Sequence, residues 1–136
     1  MTPSYSFDVD VRRSLVRITL GGFFTQSDIE GFLAARAKAH TELRCGPNEH
    51  LTLTDVRGMK IQMQEMVGAW GQVLAAPDYR SRRLAFVQGN SLTRLQLRRA
   101  AASRDVRYFD DIGKAEAWLL RADAERTDQP PQRATG

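Results

Sequence analysis

The chain has 136 residues, of which 42% are hydrophobic and 26% are charged, with a formal net charge of +4. These values are typical of one soluble globular domain and exclude a wholly disordered chain or two domains of ordinary size. Apolar runs are too short for a transmembrane helix, and the lone Cys45 excludes an internal disulfide or a cysteine-cluster metal site. The first ten residues have no basic start and no apolar run, so we expect a cytoplasmic protein without a secretory signal.

Two half-buried strands are predicted at the start of the chain. Residues 6–11 and 15–20 both alternate between apolar and polar side chains, which is the period of a strand with one face in the core. Residues 12–14 suit a short turn. The two strands should therefore pair as an antiparallel hairpin.

A helix and a third strand should follow the hairpin. Ser27 and Glu30 have the spacing of a capping box, which predicts a helix over residues 28–43. Residues 51–56 alternate again and are predicted to form the third strand. A loop at residues 57–58 should end it.

The second half of the chain continues the alternation of helix and strand. Apolar residues recur at spacings of three and four from Met63 to Leu74, which predicts an amphipathic helix. The apolar run 84–87 predicts a strand covered on both faces. Ser91 is a suitable N-cap for an arginine-rich helix to about residue 103, and residues 106–109 predict a fifth strand.

A last helix, capped by Asp110 or Asp111, completes the predicted fold. The apolar pattern is lost from about residue 125, where proline and polar residues dominate. We therefore expect one domain over residues 1–124 and a disordered tail over residues 125–136.

The predicted order of elements is ββαβαβαβα. Alternating strands and helices predict an α/β fold with a mainly parallel five-stranded sheet, to which the N-terminal hairpin adds an antiparallel strand. Because the first three strands alternate, we expect the four helices mostly on one face of the sheet. Part of the other face should be open to solvent.

Four segments carry a resemblance to a known fold: residues 53–57 (LTDVR), 84–87 (LAFV), 106–111 (VRYFDD) and 115–119 (AEAWL). Together with the opening hairpin, they make the chain resemble the SpoIIAA-like fold shared by STAS domains, and within it the STAS/SEC14-like branch of unknown function. The resemblance covers roughly residues 5–122. It implies a regulatory domain that works through protein contacts and names no reaction.

One segment departs from the pattern of that fold. Anti-sigma-factor antagonists with this fold carry a phosphorylatable Ser or Thr at the start of the helix after the third strand. Here residues 56–62 contain no hydroxyl side chain, although Asp55 stands at the end of the strand as it often does in such proteins. We therefore expect no serine-phosphorylation switch.

The sequence carries no convergent set of catalytic groups. Cys45 and His50 are five residues apart across a Gly-Pro loop, but no third group orients them as nucleophilic catalysis requires. Two histidines and one cysteine do not make an ordinary zinc site, and neither glycine-rich phosphate-binding fingerprint is present. We predict no enzyme, no metal site and no cofactor.

The positive charge is concentrated in residues 80–107, which contain eight arginines and one acidic residue. Localised positive charge of this kind favours an anionic partner, although a solvated helix face has the same composition. Arg94 and Arg98 are four apart and share a helix face, and Ser91 opens that helix. These three residues are the candidate anion or partner site.

A second candidate surface follows from the apolar stripe of the second helix. Its residues are Met59, Met63, Met66 and Trp70. Methionine adapts to irregular apolar surfaces, so the stripe can line a ligand groove or a dimer seam. Packing in the core explains the same spacing, and both interpretations stay open.

The preferred hypothesis is a non-catalytic, cytoplasmic regulatory module that contacts an unidentified protein or a second copy of itself. The alternative is a carrier or sensor of an apolar, lipid-like ligand under the Met/Trp helix. Binding of an anion or a nucleic acid through residues 80–107 is weaker, because Phe86 is the only aromatic residue available there for stacking.

Overall fold

Strands and helices alternate throughout the computed structural model, which describes residues 2–77, 79–89, 91–102 and 106–128, without the side chains of 91, 92 and 122–128. Within these residues the strands are β1 (Ser4–Asp10), β2 (Leu15–Gly22), β3 (Leu51–Met59), β4 (Arg83–Val87) and β5 (Arg107–Phe109). The helices are α1 (Gln26–His40), α2 (Gln64–Ala75), α3 (Ser91–Ala100) and α4 (Ile112–Asp128). The predicted order ββαβαβαβα is confirmed.

The five strands form one sheet whose spatial order is the order of the chain. β1 and β2 pair antiparallel, with Phe7 opposite Ile18, and each later strand is parallel to the one before it. Right-handed crossovers between successive neighbours put every crossover helix on the same face. Accordingly α1, α2 and α3 cover one face, and α4, which follows the last strand, covers the other. The predicted mainly parallel sheet with most helices on one face is confirmed.

Apolar side chains on the two faces of the sheet form separate cores. The core under α1–α3 takes residues from β2, β3, β4 and all three helices, among them Val16, Ile18, Leu20, Val56, Leu84, Phe86, Phe32, Trp70 and Ala100. The core under α4 contains Leu15, Leu51, Leu53, Ala85, Val87, Ala115 and Leu119. Burial on both faces supplies most of the favourable free energy of folding.

The expectation that β3 shows one face to solvent is wrong. All six residues from 51 to 56 are buried, because α4 covers one face of the strand and the α1–α3 layer covers the other. Thr52 and Thr54 are 7% exposed. The threonines therefore face the α1–α3 layer and the leucines between them face α4, and both faces of the strand are buried.

Helix α1 begins and ends earlier than predicted. Its capping box is formed by Thr25 and Asp28: the Asp28 amide donates to Thr25 Oγ1 (3.3 Å), and the Thr25 amide donates to Asp28 Oδ2 (2.8 Å). The fully buried Phe24 fixes the entry of the chain immediately before this cap. At the other end the amides of residues 41–43 each donate to the carbonyl three residues earlier, so the chain leaves α1 through a tight turn.

Strand β3 continues beyond its predicted end. The predicted loop at residues 57–58 is wrong, since Gly58 pairs with Gly21 and Met59 with Gly22 after a shift of register in β2. The two glycine backbones lie close, because a Cβ on Gly58 would be 3.5 Å from the Gly21 Cα.

Helix α4 reaches Asp128, beyond the predicted start of the tail at residue 125. Residues 129–136 lie outside the described residues, so the disordered tail stays a prediction. In the part of the chain that is described, no helix is long and apolar enough to cross a membrane.

Candidate functional site

A cavity of about 120 Å³ lies between the sheet and the layer of helices α1, α2 and α3. Its floor is made by β2, β3 and β4, and its roof by α2 with the flanking faces of α1 and α3. The lining is largely apolar. Protein interiors contain few voids larger than a water molecule, so a cavity of this size is the most distinctive feature of the fold.

Short side chains and a helix held away from the sheet create this cavity. Its floor along β3 is made by Thr52, Thr54 and Val56, which are smaller than the leucine and phenylalanine residues of neighbouring strands. The roof helix α2 packs mainly against α3. The two helices are in contact at Gly71, where a Cβ would lie 3.4 Å from the Ala100 carbonyl oxygen.

Trp70 forms the aromatic wall of the cavity. It is 9% exposed, and its ring meets Phe24 and Phe32 edge to face at centroid distances of 5.3 and 5.2 Å. Its indole N–H is buried and has no hydrogen-bond acceptor among the described residues. An unsatisfied buried donor costs about 1–3 kcal/mol.

The end of the cavity near the carboxyl ends of the strands is closed by two glutamines. Gln62 accepts the Phe24 amide at Oε1 (2.9 Å) and donates to the Gly22 carbonyl (3.1 Å). Gln96 accepts the Gln62 amide and donates to the Gln62 carbonyl, both at 2.8 Å. Since these amides are already bonded to backbone groups, this end is a structural plug.

The opposite end of the cavity carries basic and aromatic groups. Arg36 and His40 reach it from α1, and Tyr79, Arg80 and Ser81 reach it from the loop before β4. The Arg36 guanidinium lies 4.7 Å from the centre of the Tyr79 ring, and His40 meets the same ring edge to face at 5.0 Å.

Two histidines share a hydrogen bond at this end. His40 Nδ1–H donates to the Arg36 carbonyl (2.9 Å), which leaves Nε2 of the neutral ring as an acceptor. The His50 Nε2 lies 3.3 Å from it and is therefore the donor. Burial, opposed by the bond to Arg36, lowers the pKa of His40 below its ordinary value.

We expect the chain to lose stability as the pH falls below the ordinary histidine pKa of about 6.5. His40 has a lowered pKa in the folded state, so the unfolded chain binds more protons in this window and folding stability is lost. Urea unfolding at a series of pH values measures this. His40→Gln should make the free energy of unfolding less dependent on pH between the ordinary pKa values of carboxylates and of histidine. An unchanged dependence on pH would contradict the lowered pKa of His40.

The stripe predicted from the methionines is only partly gathered at the cavity. Met59 and Trp70 line it, and Met66 is buried in the adjoining core. Met63 stands at the N-cap of α2, is 50% exposed and is not part of the lining. The helical spacing from Met63 to Leu74 does not show that Met63 is outside the cavity, because the spacing does not reveal that the helix begins only at Gln64.

The residues predicted as an anion site have partners within the chain. Arg94 Nε donates to the Gly89 carbonyl (3.1 Å), and its terminal nitrogen bonds Asp110 (2.8 Å). The Arg98 guanidinium lies 4.3 Å from the centre of the Tyr108 ring. Ser91 is the first residue of α3, and its side chain is not among those that the structure describes. The two arginines thus lie on the side of α3 toward β5, and their role in binding stays a prediction.

The end of β3 places Asp55 and Thr54 in opposite environments. Burial acts to raise the pKa of Asp55, but three hydrogen bonds from Arg57, at 2.9 to 3.1 Å, outweigh it and hold that pKa low. Thr54 faces the cavity on the other side of the sheet. The absence of a phosphorylation switch stays a prediction.

The described side chains provide little for catalysis. Among them no three His, Cys, Asp or Glu residues lie close enough to hold a metal ion. His50 is committed to His40 and Cys45 is partly buried. The histidine pair was missed by sequence reasoning, which treated each residue alone; the crossover from α1 to β3 brings them together.

Comparison with solved structures identifies the fold. An uncharacterised DUF3478-family protein from Shewanella loihica PV-4, described as having a SpoIIAA-like fold, matches with a TM-score of 0.65 and 14% identity over 88% of this chain and 96% of that chain. This chain has a SpoIIAA-like fold. An anti-sigma factor antagonist from Mycobacterium paratuberculosis matches with a TM-score of 0.58 and 8% identity over 85% of this chain and 94% of that chain. No family model and no curated protein matches the sequence.

The SpoIIAA-like fold expected from the hairpin and the four sequence segments is therefore confirmed. At 14% and 8% identity, these similarities establish architecture and leave function to the site. Neither of these two solved structures is described as an enzyme.

Proposed function

We propose that this chain is a non-catalytic module that holds a small apolar ligand in the cavity under α2. The supporting observation is the cavity itself, about 120 Å³ with a largely apolar lining. Apolar cavities of this order admit ligands of the size of benzene. The proposal places the ligand hypothesis ahead of the protein-contact hypothesis that the sequence favours.

The energetic cost of the cavity supports a role for it. At about 24 cal/mol per Å³, an enclosed empty cavity of 120 Å³ would cost roughly 3 kcal/mol of folding stability, which is an upper bound here because this cavity is partly open to solvent. That is a large fraction of the 5–15 kcal/mol typical of a domain. Larger side chains in place of Thr52 and Thr54 would fill the cavity. A bound ligand would offset the free-energy cost of leaving it empty.

Thr54→Leu is expected to abolish binding of a small apolar probe, benzene, while keeping or raising the midpoint of urea unfolding. Thr54 lines the cavity and is 7% exposed, so the longer side chain fills the space the probe would occupy. Calorimetric titration with benzene and urea unfolding are measured on the same samples.

Thr19→Leu is the matched control, because Thr19 lies on the neighbouring strand and is exposed. It should bind the probe as the unsubstituted chain does. If Thr54→Leu binds the probe equally well, the site of binding is elsewhere and the proposal is wrong.

The second candidate is contact with a protein, for which we propose a second copy of the chain as partner. Ile61, Met63 and Leu95 are 48%, 50% and 62% exposed. Each of them is next in sequence to Gln62 or Gln96, whose hydrogen bonds hold the two segments together, and from this we infer one apolar patch. Light scattering over a range of concentrations tests this: the unsubstituted chain should dimerise and Leu95→Glu should stay monomeric, whereas a monomer throughout would reject the candidate.

A further inference from the structure

We infer that the ligand of this cavity is an amphiphile with a carboxylate head group, held at the end of the cavity marked by Arg80, with its alkyl chain under α2. The inference rests on the proposed function, since it names the class of ligand for the same cavity. Three observations carry it: the charges in the lining, the difference between the two ends, and the shape of the floor.

Every charged side chain that lines the cavity among the described residues is basic: Arg36, Lys60 and Arg80. The described lining contains no aspartate or glutamate; Asp78 lies outside the described residues. An apolar cavity edged only by cations is electrostatically complementary to an anion attached to an apolar chain. It disfavours a cationic amphiphile for the same reason.

The two ends of the cavity differ in what they offer a head group. At the plug, the amides of Gln62 and Gln96 are bonded to backbone groups, and the charged lining residue described there is Lys60, whose ammonium is a strongly hydrated point charge. At the other end Arg80 is exposed, and its backbone is fixed independently of its side chain, because its carbonyl accepts Asn48 Nδ2 at 2.7 Å. A guanidinium forms paired hydrogen bonds with a carboxylate, which makes this end the seat of the head group.

The groups beside Arg80 are compatible with an anion. His40 stands at this end as a neutral ring, paired with His50, with Arg36 and Tyr79 against it. Arg82 and Glu49 are nearby, and the Glu49 side chain accepts the Gly46 amide (2.9 Å). A bound carboxylate would raise the pKa of His40, whereas burial lowers it.

The floor of the cavity fits a linear chain of moderate length. The four steps along β3 from Thr52 to Val56 span about 13 Å at ~3.3 Å per residue. Because a cavity of about 120 Å³ admits a group of the size of benzene, we expect it to hold a chain of about six carbons along part of this path. Val67, Trp70 and Val73 of α2 line the roof above this path, so methylene groups would be covered on both sides.

Calorimetric titration with three six-carbon probes tests the inference: hexanoate, hexanol and hexyltrimethylammonium, each below its micelle concentration at neutral pH. We expect hexanoate to bind about tenfold more tightly than hexanol, because solvent weakens the paired hydrogen bonds of an exposed guanidinium to about this effect, and the cation to bind most weakly. Arg80→Gln should reduce the affinity for hexanoate to that for hexanol and leave hexanol unchanged.

Arg44→Gln is the matched control, because Arg44 is exposed in the segment after α1 and does not line the cavity. It removes the same charge and should change neither affinity. Equal binding of hexanoate and hexanol, or an Arg80→Gln variant that binds hexanoate unchanged, would overturn the carboxylate inference while the apolar cavity keeps its proposed role. Failure of all three probes to bind would overturn both.

Discussion

Trp70→Ala is expected to lower the free energy of unfolding by about 3–5 kcal/mol. The indole is 9% exposed and packs edge to face between Phe24 and Phe32, so truncation removes two aromatic contacts. It also enlarges a cavity that is already present, and α2 has few contacts with the sheet through which to collapse into the space. Urea unfolding followed by far-ultraviolet circular dichroism measures the change.

Trp118→Ala on α4 is the matched control for this prediction. Trp118 is half-buried, lies against Phe109 and has the Arg107 guanidinium 5.2 Å from its ring centre. Its loss should cost less, because solvent replaces part of its surroundings. A midpoint of Trp70→Ala close to that of the unsubstituted chain would show that the indole is not part of the core.

Gln62→Ala should destabilise the chain by about 2–4 kcal/mol: about 1–3 for a buried amide left without a partner and about 1 for the other hydrogen bonds lost. Gln62 is 7% exposed, and its side chain bonds the Phe24 amide and the Gly22 and Lys60 carbonyls. Truncation removes the acceptor of the buried Phe24 amide, whereas the Gly22 carbonyl still accepts the Lys60 amide at 3.0 Å. Chemical denaturation gives the free energy.

Gln96→Ala is the comparison variant, since its side chain bonds only the Gln62 backbone and is partly buried. Its effect should be the smaller of the two. The double variant should be less destabilised than the sum of the single variants, because both amides support the same loop. An additive double variant would mean that the two glutamines close the cavity independently.

The topology could be predicted because it depends on short-range patterns. Alternation in residues 6–11 and 15–20 and the helical spacing from Met63 to Leu74 define elements whose order leaves few arrangements. The cap of α1 was mispredicted because Thr25 with Asp28 and Ser27 with Glu30 have the same spacing. The buried Phe24, a tertiary feature, decides between them.

The cavity could not be predicted from the sequence for a related reason. Thr52 and Thr54 alternate with leucine as the residues of a half-exposed strand do, yet they are buried beneath α2. A period of two reports which residues share a face and does not report what covers that face. Whether helix and sheet meet or leave space depends on their separation, which is set by contacts between α2 and α3 far along the chain.

The sequential order of the strands has a consequence for how the chain assembles. Each parallel strand is the immediate spatial neighbour of the one before it, so no strand has to be inserted between two that are already paired. The sheet can therefore grow from one side in the direction of synthesis, and each new strand–helix unit docks on the edge left by the last. The growing edge would be available for mispairing with other chains until β5 arrives, and β5 offers only three residues to a further strand. Nascent chains arrested before residue 107 should therefore aggregate far more readily than the completed domain.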